Sequence, residues 1–402
     1  MIKLMFKIAL YFGVFIALIL ILPANILLDI DPKPRDRQLP EEFVGPFKAN
    51  DALTQSSVIL KNQIVGPESI AQFNGRLITG AEDGYLYEVN DNNVKRLLRL
   101  SEKSCYQINP YNRSKCSRPA GMRFDSKGTL YVVDPNIGVF LVKNIFTKTP
   151  KVELVFDIED TKALGGQSSK FFNDVAIDEG AGLNGGHVLY VSDISVRFDF
   201  FEMMFTVFGS DTGRIVKYDI NARKVESVVK DILLPNGPKK GESAILADLP
   251  GEPDNIRRSV DTKCETYWVA LGSARTASKP SNIDFYMDRP LMRKFLCRFT
   301  HLLGSAITSV GDILNVSALQ EFGSYFKSGF ILGAILFKDS SRNYGMIVEI
   351  DINGNIIQTL HGNHEIYTLL SEVREVRIND KQSVLYIGSF INDYILKLTY
   401  IR

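Results

Sequence analysis

The feature that most constrains the fold is a repeated unit, in which a polar turn is followed about ten to twenty residues later by a short aromatic-aliphatic strand. The predicted strands are Tyr85–Val89, Leu130–Asp134, Leu189–Asp193, Tyr267–Leu271 and Leu385–Ser389. The turns include Asn74-Gly75, Ser126-Lys127-Gly128 and Asn379-Asp380-Lys381. Short strands at this spacing indicate an all-β sandwich, barrel or propeller, and self-similarity over roughly 50 residues favours the propeller.

Each repeat begins with a short polar segment, which we call its opener. The openers are Gly66-Pro67-Glu68, Arg118-Pro119-Ala120-Gly121, Phe172-Asn173-Asp174, Pro235-Asn236-Gly237, Pro253-Asp254-Asn255 and Ser371-Glu372. Six openers predict six blades, and the repeat geometry predicts that the openers meet at one end of a central channel. Any one of them could equally be an ordinary turn. Four openers with a side-chain oxygen favour a shared site.

The fourth predicted blade is short. Pro253-Asp254-Asn255 follows Pro235-Asn236-Gly237 so soon that four strands cannot fit between Pro238 and Gly251. Either a stretch of the blade is missing from this sequence, or the fourth blade is degenerate. In both cases Asn236 could fail to reach the channel, and the neighbouring blades would expose strand edges.

The N-terminal segment predicts a membrane anchor. Residues 8–24 carry no charge and the apolar character continues to Leu28, which is about the 20 residues that a membrane-spanning helix needs. Lys3 and Lys7 precede the segment, and this predicts a cytoplasmic N-terminus. We therefore predict a cytoplasmic tip and transmembrane signal anchor over 1–30, a Pro-rich stalk over 31–55 and the propeller over 56–402. The alternative is a cleaved signal peptide.

Further features address the compartment and the partners. The sequons at Asn112 and Asn315 are compatible with a glycoprotein whose body lies in the endoplasmic reticulum lumen or outside the cell. None of the four cysteines forms a CxxC pair, which argues against a zinc ribbon. The formal net charge of +1 gives no sign of a nucleic-acid partner. Residues 282–336 depart from the repeat and are predicted to be a helical insertion packed on a blade, or alternatively on the membrane.

Several motifs resemble the strictosidine synthase-like family. They are Cys116-Ser-Arg-Pro-Ala-Gly121, Phe172-Asn-Asp-Val-Ala-Ile-Asp178, Leu249-Pro-Gly-Glu-Pro-Asp-Asn-Ile-Arg257, and Ser371-Glu-Val373 followed by Leu385-Tyr-Ile-Gly-Ser-Phe390. The resemblance covers nearly the whole chain. It implies a six-bladed β-propeller, a Cys105–Cys116 disulfide and a single-pass type II membrane protein.

A more distant resemblance, to calcium-dependent arylesterases of the paraoxonase kind, implies a metal site in the channel. Matched by motif, the calcium ligands would be Glu68, Asn173, Asn236, Asp254 and Asn255. Carboxylate and amide oxygens are the ligands that calcium prefers. A bound calcium would polarise an ester carbonyl and stabilise the oxyanion that forms.

Two departures from these families limit the expected chemistry. Ala120 stands where the paraoxonase kind carries a histidine base, and Ser371 stands where strictosidine synthases carry a catalytic glutamate. Strictosidine synthase activity is therefore not expected, and adjacent Glu372 becomes the candidate proton acceptor. His361 and His364 lie in a polar turn between predicted strands, and we predict that they are surface residues. The sequence predicts a membrane-anchored, calcium-dependent hydrolase of small-molecule aryl esters. The alternative is a non-catalytic calcium-binding propeller that interacts with protein partners or lipids.

Overall fold

The protein is built from five four-stranded antiparallel sheets. The computed structural model describes residues 2–23, 26–35, 39–40, 42–101, 116–209, 212–232, 247, 249–261, 264–336 and 344–401. The innermost strand of each sheet is the one that contains an opener or begins just after one. The inner strands of most neighbouring sheets contact one another, which gives a propeller-like arrangement around a centre.

Three sheets follow one another in the first half of the body. Sheet A contains β2 (Ile70–Phe73), β3 (Arg76–Gly80), β4 (Tyr85–Val89) and β5 (Val94–Arg99). Sheet B contains β6 (Met122–Phe124), β7 (Leu130–Asp134), β8 (Gly138–Lys143) and β9 (Lys151–Asp157). Sheet C contains β10 (Phe171–Asp178), β11 (Val188–Ser195), β12 (Gly213–Asp219) and β13 (Lys224–Ile232).

Two sheets complete the arrangement, and the last of them joins both ends of the body. Sheet D contains β14 (Gly251–Arg258), β15 (Thr266–Ala274), β16 (Gly345–Asp351) and β17 (Ile356–Gly362). Sheet E contains β18 (Leu370–Arg377), β19 (Gln382–Ser389), β20 (Ile395–Ile401) and β1 (Ser57–Ile59). Strand β1 pairs antiparallel with β20, so an N-terminal strand closes the C-terminal sheet.

The predicted strands are confirmed, whereas the number of blades stays a prediction. Tyr85–Val89 and Leu130–Asp134 coincide with β4 and β7, and the other three predicted strands lie within β11, β15 and β19. Six blades were predicted, and the described residues form five sheets. The fourth opener, with Asn236, lies outside the described residues.

Apolar clusters between neighbouring sheets hold the body together. Phe156 of sheet B stacks on Tyr218 of sheet C, with ring centroids 4.2 Å apart. Trp268 of sheet D is buried in a cluster with Leu385 and Ile387 of sheet E. Burial of each such large side chain stabilises the fold by roughly 1.5–3 kcal/mol.

Helices collect at one end of the sheets. Because β10 and β14 begin at the opener end and the sheets are antiparallel, β11 and β15 finish there. The β11–β12 connection carries α2 (Met203–Phe208). The β15–β16 connection carries α3 (Asp284–Met287), α4 (Pro290–Leu314), α5 (Ser317–Lys327) and α6 (Phe330–Leu336). The helical insertion predicted over 282–336 is confirmed, and it packs on the opener end through a cluster that includes Phe205 and Cys297.

The first helix, α1 (Ile2–Ile21), coincides with the predicted membrane anchor. Within the described part of the chain, no helix combines the length and the hydropathy that crossing a membrane requires.

The C-terminal end of α1 is fixed to α4. Arg298 donates to the carbonyl oxygens of Ile19 at 3.0 Å and Leu22 at 2.8 Å, and Phe15 makes an edge contact with Phe299. The last carbonyl groups of a helix have no partner inside it. Arg298 therefore supplies, from another helix, the hydrogen bonds that α1 cannot make itself.

The segment predicted to be a stalk, 31–55, lies against the body through its described residues. Asn50 donates to the carbonyl oxygen of Thr359 at 2.8 Å and accepts from the backbone N–H of His361. Phe43 stacks on Tyr344 and contacts the ring of His361. Asn50 and Phe43 thus hold the segment against sheet D, although its composition is mostly polar.

The cysteine and sequon predictions fall partly outside the described residues. Cys105 and Asn112 lie there, so the Cys105–Cys116 disulfide and glycosylation of Asn112 stay predictions. Cys264 and Cys297 are free thiols, the first exposed and the second buried. Asn315 is the exposed C-cap of α4, at the tip of the hairpin with α5, where a glycan would have access.

Candidate functional site

The inner strands of all five sheets meet around one arginine. Arg257 on β14 bonds to Asp174 on β10 and to Glu372 on β18, each at 2.7 Å. It also donates to Ser69, just before β2, at 3.0 Å. Arg123 on β6 donates to Asp174 at 3.2 Å. We call Ser69, Arg123, Asp174, Arg257, Glu372 and neighbouring Arg374 the central cluster.

Register shifts in the inner strands set the direction of the opener side chains. Pairing shifts register between Phe172 and Val175 on β10, between Pro253 and Ile256 on β14, and between Leu370 and Glu372 on β18. Such bulges bend a strand and redirect its side chains, and they occur often beside functional sites. Each shift falls on an opener, so the openers depart from regular pleating where their polar groups approach the centre.

Gly121 explains how closely two openers approach. A Cβ atom there would lie 2.2 Å from Oδ1 of Asp174, and its backbone N–H donates to the carbonyl oxygen of Asn173 at 2.8 Å. Only glycine leaves room for this contact. The glycine that ends the second opener therefore allows β6 to pack directly on Asn173-Asp174.

The three charged residues at the middle of the cluster are fully buried. Burial alone would lower the pKa of Arg257, but the carboxylates of Asp174 and Glu372 raise it above its usual value. Burial works against the ionised form of Asp174 as well, and Arg257 and Arg123 outweigh it, so the pKa of Asp174 is lowered. Arg257 and Asp174 thus form an ionised pair at the middle of the channel, and removing either partner alone would be costly.

Glu68 and Asp254 are two carboxyl groups near this network whose pKa values are raised. Burial raises the pKa of Glu68 to about 7, against a smaller opposing effect of Arg118. Burial, and next the charge of Glu68, raise the pKa of Asp254 well above its usual range. Glu68 is buried and Asp254 is half-buried, and a divalent cation beside them would stabilise their ionised forms.

Asn255 is the clearest anomaly at the site. Its side chain is fully buried, and neither its Oδ1 nor its Nδ2 atom has a hydrogen-bond partner. Leaving a buried polar group unsatisfied costs about 1–3 kcal/mol. Such a group in a native channel calls for a ligand atom, and an amide oxygen next in sequence to the carboxyl group of Asp254 fits a hard cation.

Of the predicted calcium ligands, Glu68 and Asp254 lie close enough for their charges to interact. Glu68, Asn173, Asp254 and Asn255 lie on inner strands or immediately before them, and Asn236 lies outside the described residues. Among the residues that the structure describes, no three His, Cys, Asp or Glu side chains form a group able to hold a metal ion. A calcium site here would consequently combine two carboxylates with carboxamide oxygens.

The candidate proton acceptor, Glu372, is placed in the central cluster. Its side chain is fully buried, with Oε2 2.6 Å from Nη2 of Arg257 and Oε1 3.7 Å from Nη2 of Arg374. Proton transfer to Glu372 would require part of this ion pair to be given up. The hydroxyl of Ser371 donates to the carbonyl oxygen of Glu68 at 2.7 Å.

Sequence reasoning missed the arginines and misjudged one histidine. Arg257 stands inside a motif that carries the family resemblance, yet nothing in its spacing distinguishes it from a surface arginine. His361 was predicted to be a surface residue, but it is fully buried and bonds to the Tyr344 hydroxyl and to Thr359. Burial lowers the pKa of His361 to about 4, so its ring is neutral.

Comparison with known families agrees with the motif resemblance. A profile described as "Strictosidine synthase-like, N-terminal" matches residues 45–89, and one described as "Strictosidine synthase" matches residues 173–246. The chain thus carries strictosidine synthase-like segments, and its curated relatives match most of its length. Its first matched segment spans the Glu68 opener and sheet A's first strands, and its second begins at Asn173.

The relatives of this strictosidine synthase-like chain include adipocyte plasma membrane-associated proteins. The protein from Bos taurus is 25% identical over 94% of the chain and 87% of its own length. The protein from Gallus gallus is 29% identical over 77% of the chain and 78% of its own length. The Drosophila melanogaster protein named Hemomucin is 25% identical over 89% of the chain and 63% of its own length.

Solved structures are less similar to this chain than the curated relatives are. A luciferin-regenerating enzyme covers 86% of the chain and 95% of its own, with 10% identity and a TM-score of 0.45. The Dos1 propeller covers 86% of the chain and 59% of its own, with 8% identity and a TM-score of 0.25. TM-scores this low do not establish a shared fold.

Proposed function

We propose that the protein is a calcium-dependent hydrolase of small esters, of arylesterase type, with its site at the opener end of the channel. The observation that carries the proposal is the buried, unpartnered carboxamide of Asn255, next in sequence to Asp254, whose pKa is raised in part by the charge of Glu68. Glu68, Asn173, Asp254 and Asn255 would hold the cation, together with Asn236. Calcium bound there would supply Lewis acidity toward an ester carbonyl.

The remaining chemistry falls to the chain's own side chains. Arg257 holds Asp174 and Glu372 in fixed positions through hydrogen bonds. Glu372 is the proposed acceptor of the proton from water, and one of its contacts with arginine would open as it is protonated. Glu372→Gln keeps the shape of the side chain and removes its basicity. Undiminished ester turnover in that variant would eliminate this role.

A calcium-binding propeller without catalysis is the alternative function, and one observation favours it. None of the chain's four histidines belongs to the central cluster. His187 faces Asp125, His301 lies on α4, His361 lies on β17, and His364 follows β17. A channel without a histidine has a restricted choice of general base. In that case calcium would stabilise a surface that binds proteins or lipids.

The experiment measures calcium binding and ester turnover in the full-length chain in detergent. Because Asn255 has no partner without metal, Asn255→Leu should leave the calcium-free protein as stable as the wild type or more stable. Calcium should stabilise the wild type against unfolding, and this effect should disappear in the variant. Exposed Asn92→Leu is the matched control and should keep the calcium response.

The outcomes separate the two functions. Turnover of phenyl acetate that is lost with chelator and in Asn255→Leu supports the hydrolase. Calcium binding without turnover supports the non-catalytic propeller. If calcium stabilises the wild type and Asn255→Leu equally, the proposed metal site is wrong.

The N-terminal helix would attach this protein to a membrane as a single-pass type II protein, with its body in the endoplasmic reticulum lumen or outside the cell. Residues 10–15 of α1 are exposed around the whole helix, and they include Leu10, Phe12 and Val14. A helix that is apolar on every face needs an apolar environment. The relatives are named plasma membrane-associated proteins, which agrees with attachment to a membrane.

Asn315 offers a test of this topology because it is exposed at the tip of the α4–α5 hairpin. In a eukaryotic secretory host, the wild type should carry a glycan that endoglycosidase removes, and Asn315→Gln should shift in mass by one glycan. The protein should remain in the pellet after alkaline extraction of membranes. A protein that is released by alkali and never glycosylated would contradict the proposed topology.

A further inference from the structure

The central cluster contains more positive than negative charge. Three guanidinium groups, those of Arg123, Arg257 and Arg374, share the two carboxylates of Asp174 and Glu372. Counted over the residues of the central cluster, this leaves a formal excess of one positive charge. Glu68 and Asp254 lie near enough to interact with Arg257, but burial raises the pKa of both and so favours their neutral forms. A buried charge without a partner is costly.

Arg257 has no guanidinium nitrogen left to bind a ligand. Its Nε donates to Glu372, its Nη1 to Asp174 and the carbonyl oxygen of Ile256, and its Nη2 to Ser69. The side chain has no solvent exposure. All of its nitrogen atoms are thus occupied within the protein.

Arg374 is bound much more loosely. Its Nε donates to the carbonyl oxygen of Ile70 at 2.8 Å, while its Nη2 lies 3.7 Å from Glu372, too far for a hydrogen bond. The pKa of Arg374 is lowered to about 10, mainly by burial; the attraction of Glu372 opposes this, and the charges of Arg257 and Arg123 add to it. The side chain as a whole is 18% exposed.

Arg123 has a similar environment on the other side of sheet A's inner strand. Its Nε donates to the carbonyl oxygen of Val175 at 2.6 Å, and its Nη2 donates to Asp174 and to the carbonyl oxygen of Ile256. Its side chain is 21% exposed. Among the described residues, Nη1 of neither Arg123 nor Arg374 takes part in a hydrogen bond.

We propose that the channel binds a small carboxylate anion at Arg123 and Arg374. Strands β6 and β18, which carry these arginines, both contact β2, so the two guanidinium groups flank the same inner strand. Guanidinium groups bind carboxylates through charge-assisted hydrogen bonds. An excess of one positive charge suits a monoanion, whereas a dianion would leave a buried negative charge. The site uses none of the predicted calcium ligands.

Acetate is the probe, and unfolding of the full-length chain in detergent is the readout. Chelator is present throughout, so the result is independent of the calcium proposal. At constant ionic strength, replacing chloride by acetate should raise the melting temperature in a concentration-dependent manner. Inorganic phosphate at neutral pH should have a smaller effect. Calorimetry should then give the dissociation constant for acetate.

Two variants and a matched control localise the effect. Arg374→Gln and Arg123→Gln should each weaken acetate binding by about tenfold or more, because each removes a charged donor. Arg258→Gln is the control, since Arg258 is an arginine of the inner strand β14 that lies at the surface near Glu265. It should bind acetate as the wild type does.

Each outcome decides the proposal. Arg374→Gln removes the excess charge, so in chloride it should unfold no more readily than the wild type. Should it nevertheless fail to fold, Arg374→Lys, which keeps the charge without the planar donor group, should show intermediate affinity. Equal responses to acetate in the wild type and in both glutamine variants would overturn the proposal. A wild type that responds identically to acetate and chloride would do so as well.

Discussion

The indole N–H of Trp268 donates to Oε2 of Glu375 at 2.9 Å, and both side chains are buried. Trp268 lies on β15 in sheet D, and Glu375 lies on β18 in sheet E. The same carboxylate oxygen accepts from the hydroxyl of Ser259 and the backbone N–H of Val260. One carboxylate thus joins two neighbouring sheets beside the chain's single tryptophan.

Replacing this carboxylate should weaken the junction between the two sheets. Glu375→Gln keeps the shape but replaces charge-assisted hydrogen bonds by neutral ones, so we expect a loss of about 1–3 kcal/mol in the free energy of unfolding. Tryptophan fluorescence during denaturant unfolding measures it directly, because Trp268 reports on its own partner. Glu226→Gln, at an exposed carboxylate, should change stability little. Equal stability of both variants would refute the role of Glu375.

Removing Arg257 should be far more damaging. Arg257→Met leaves the buried carboxylates of Asp174 and Glu372 without their shared cation, which typically costs about 3–5 kcal/mol. The triple variant with Asp174→Asn and Glu372→Gln removes the unpaired charges and should regain a large part of that loss. Thermal unfolding in chelator compares the three proteins. If Arg257→Met were as stable as the wild type, the central ion pairs would contribute nothing.

Asp134 should make stability depend on pH. Burial raises its pKa from 3.8 to about 6 in the folded protein, against hydrogen bonds from the backbone N–H groups of Asn136 and Arg118. Between these two values the folded chain keeps the proton that the unfolded chain has released. Asp134's contribution is therefore fully present below pH 3.8 and is lost as pH rises to about 6, which amounts to about 3 kcal/mol.

Denaturant unfolding across this pH range, in the wild type and in Asp134→Asn, isolates the contribution. Asp193, whose pKa burial also raises to about 6, adds a fall of the same sign in both proteins. The stability curve of Asp134→Asn should therefore be flatter. Curves of equal slope would show that Asp134 titrates alike in the folded and unfolded chains.

Arg298 should control the attachment of α1. Arg298→Ala removes its donors to the carbonyl oxygens of Ile19, Leu22 and Leu28. Backbone amides near the end of α1 should then exchange about tenfold faster or more, as measured by hydrogen exchange and mass spectrometry of the full chain. Arg289→Ala removes a half-exposed arginine that pairs with adjacent Asp288, and should leave this exchange unchanged. Unaltered exchange in Arg298→Ala would show that packing alone holds α1.

Local patterns predicted the strands and turns because their causes are local. Alternating aromatic and aliphatic residues specify Tyr85–Val89 without any knowledge of its neighbours. The turn at Asn74-Gly75 needs positive φ at both residues, which have values of 49° and 77°, and asparagine and glycine adopt them most readily.

The long-range features left no such pattern. Arg257 meets Asp174 and Glu372 across 83 and 115 residues, so its burial follows from the assembly of three sheets and not from its own segment. His361 was predicted to be exposed because it follows a polar stretch, yet Phe43 and Tyr344 cover it. The calcium ligands were predicted from family motifs, and the charge of their surroundings became visible only in three dimensions.

The pairing of β1 with β20 has a consequence for biosynthesis. The hydroxyl of Ser57 lies against the carbonyl oxygen of Lys397, 340 residues further along. On the ribosome, β1 emerges among the first segments of the body, and its partner emerges among the last. The nascent chain must therefore keep three early residues unpaired while sheets A to D are synthesised. Closure of the ring is a post-translational event, and a chain that terminates early exposes an open strand edge to its neighbours in the compartment where it folds.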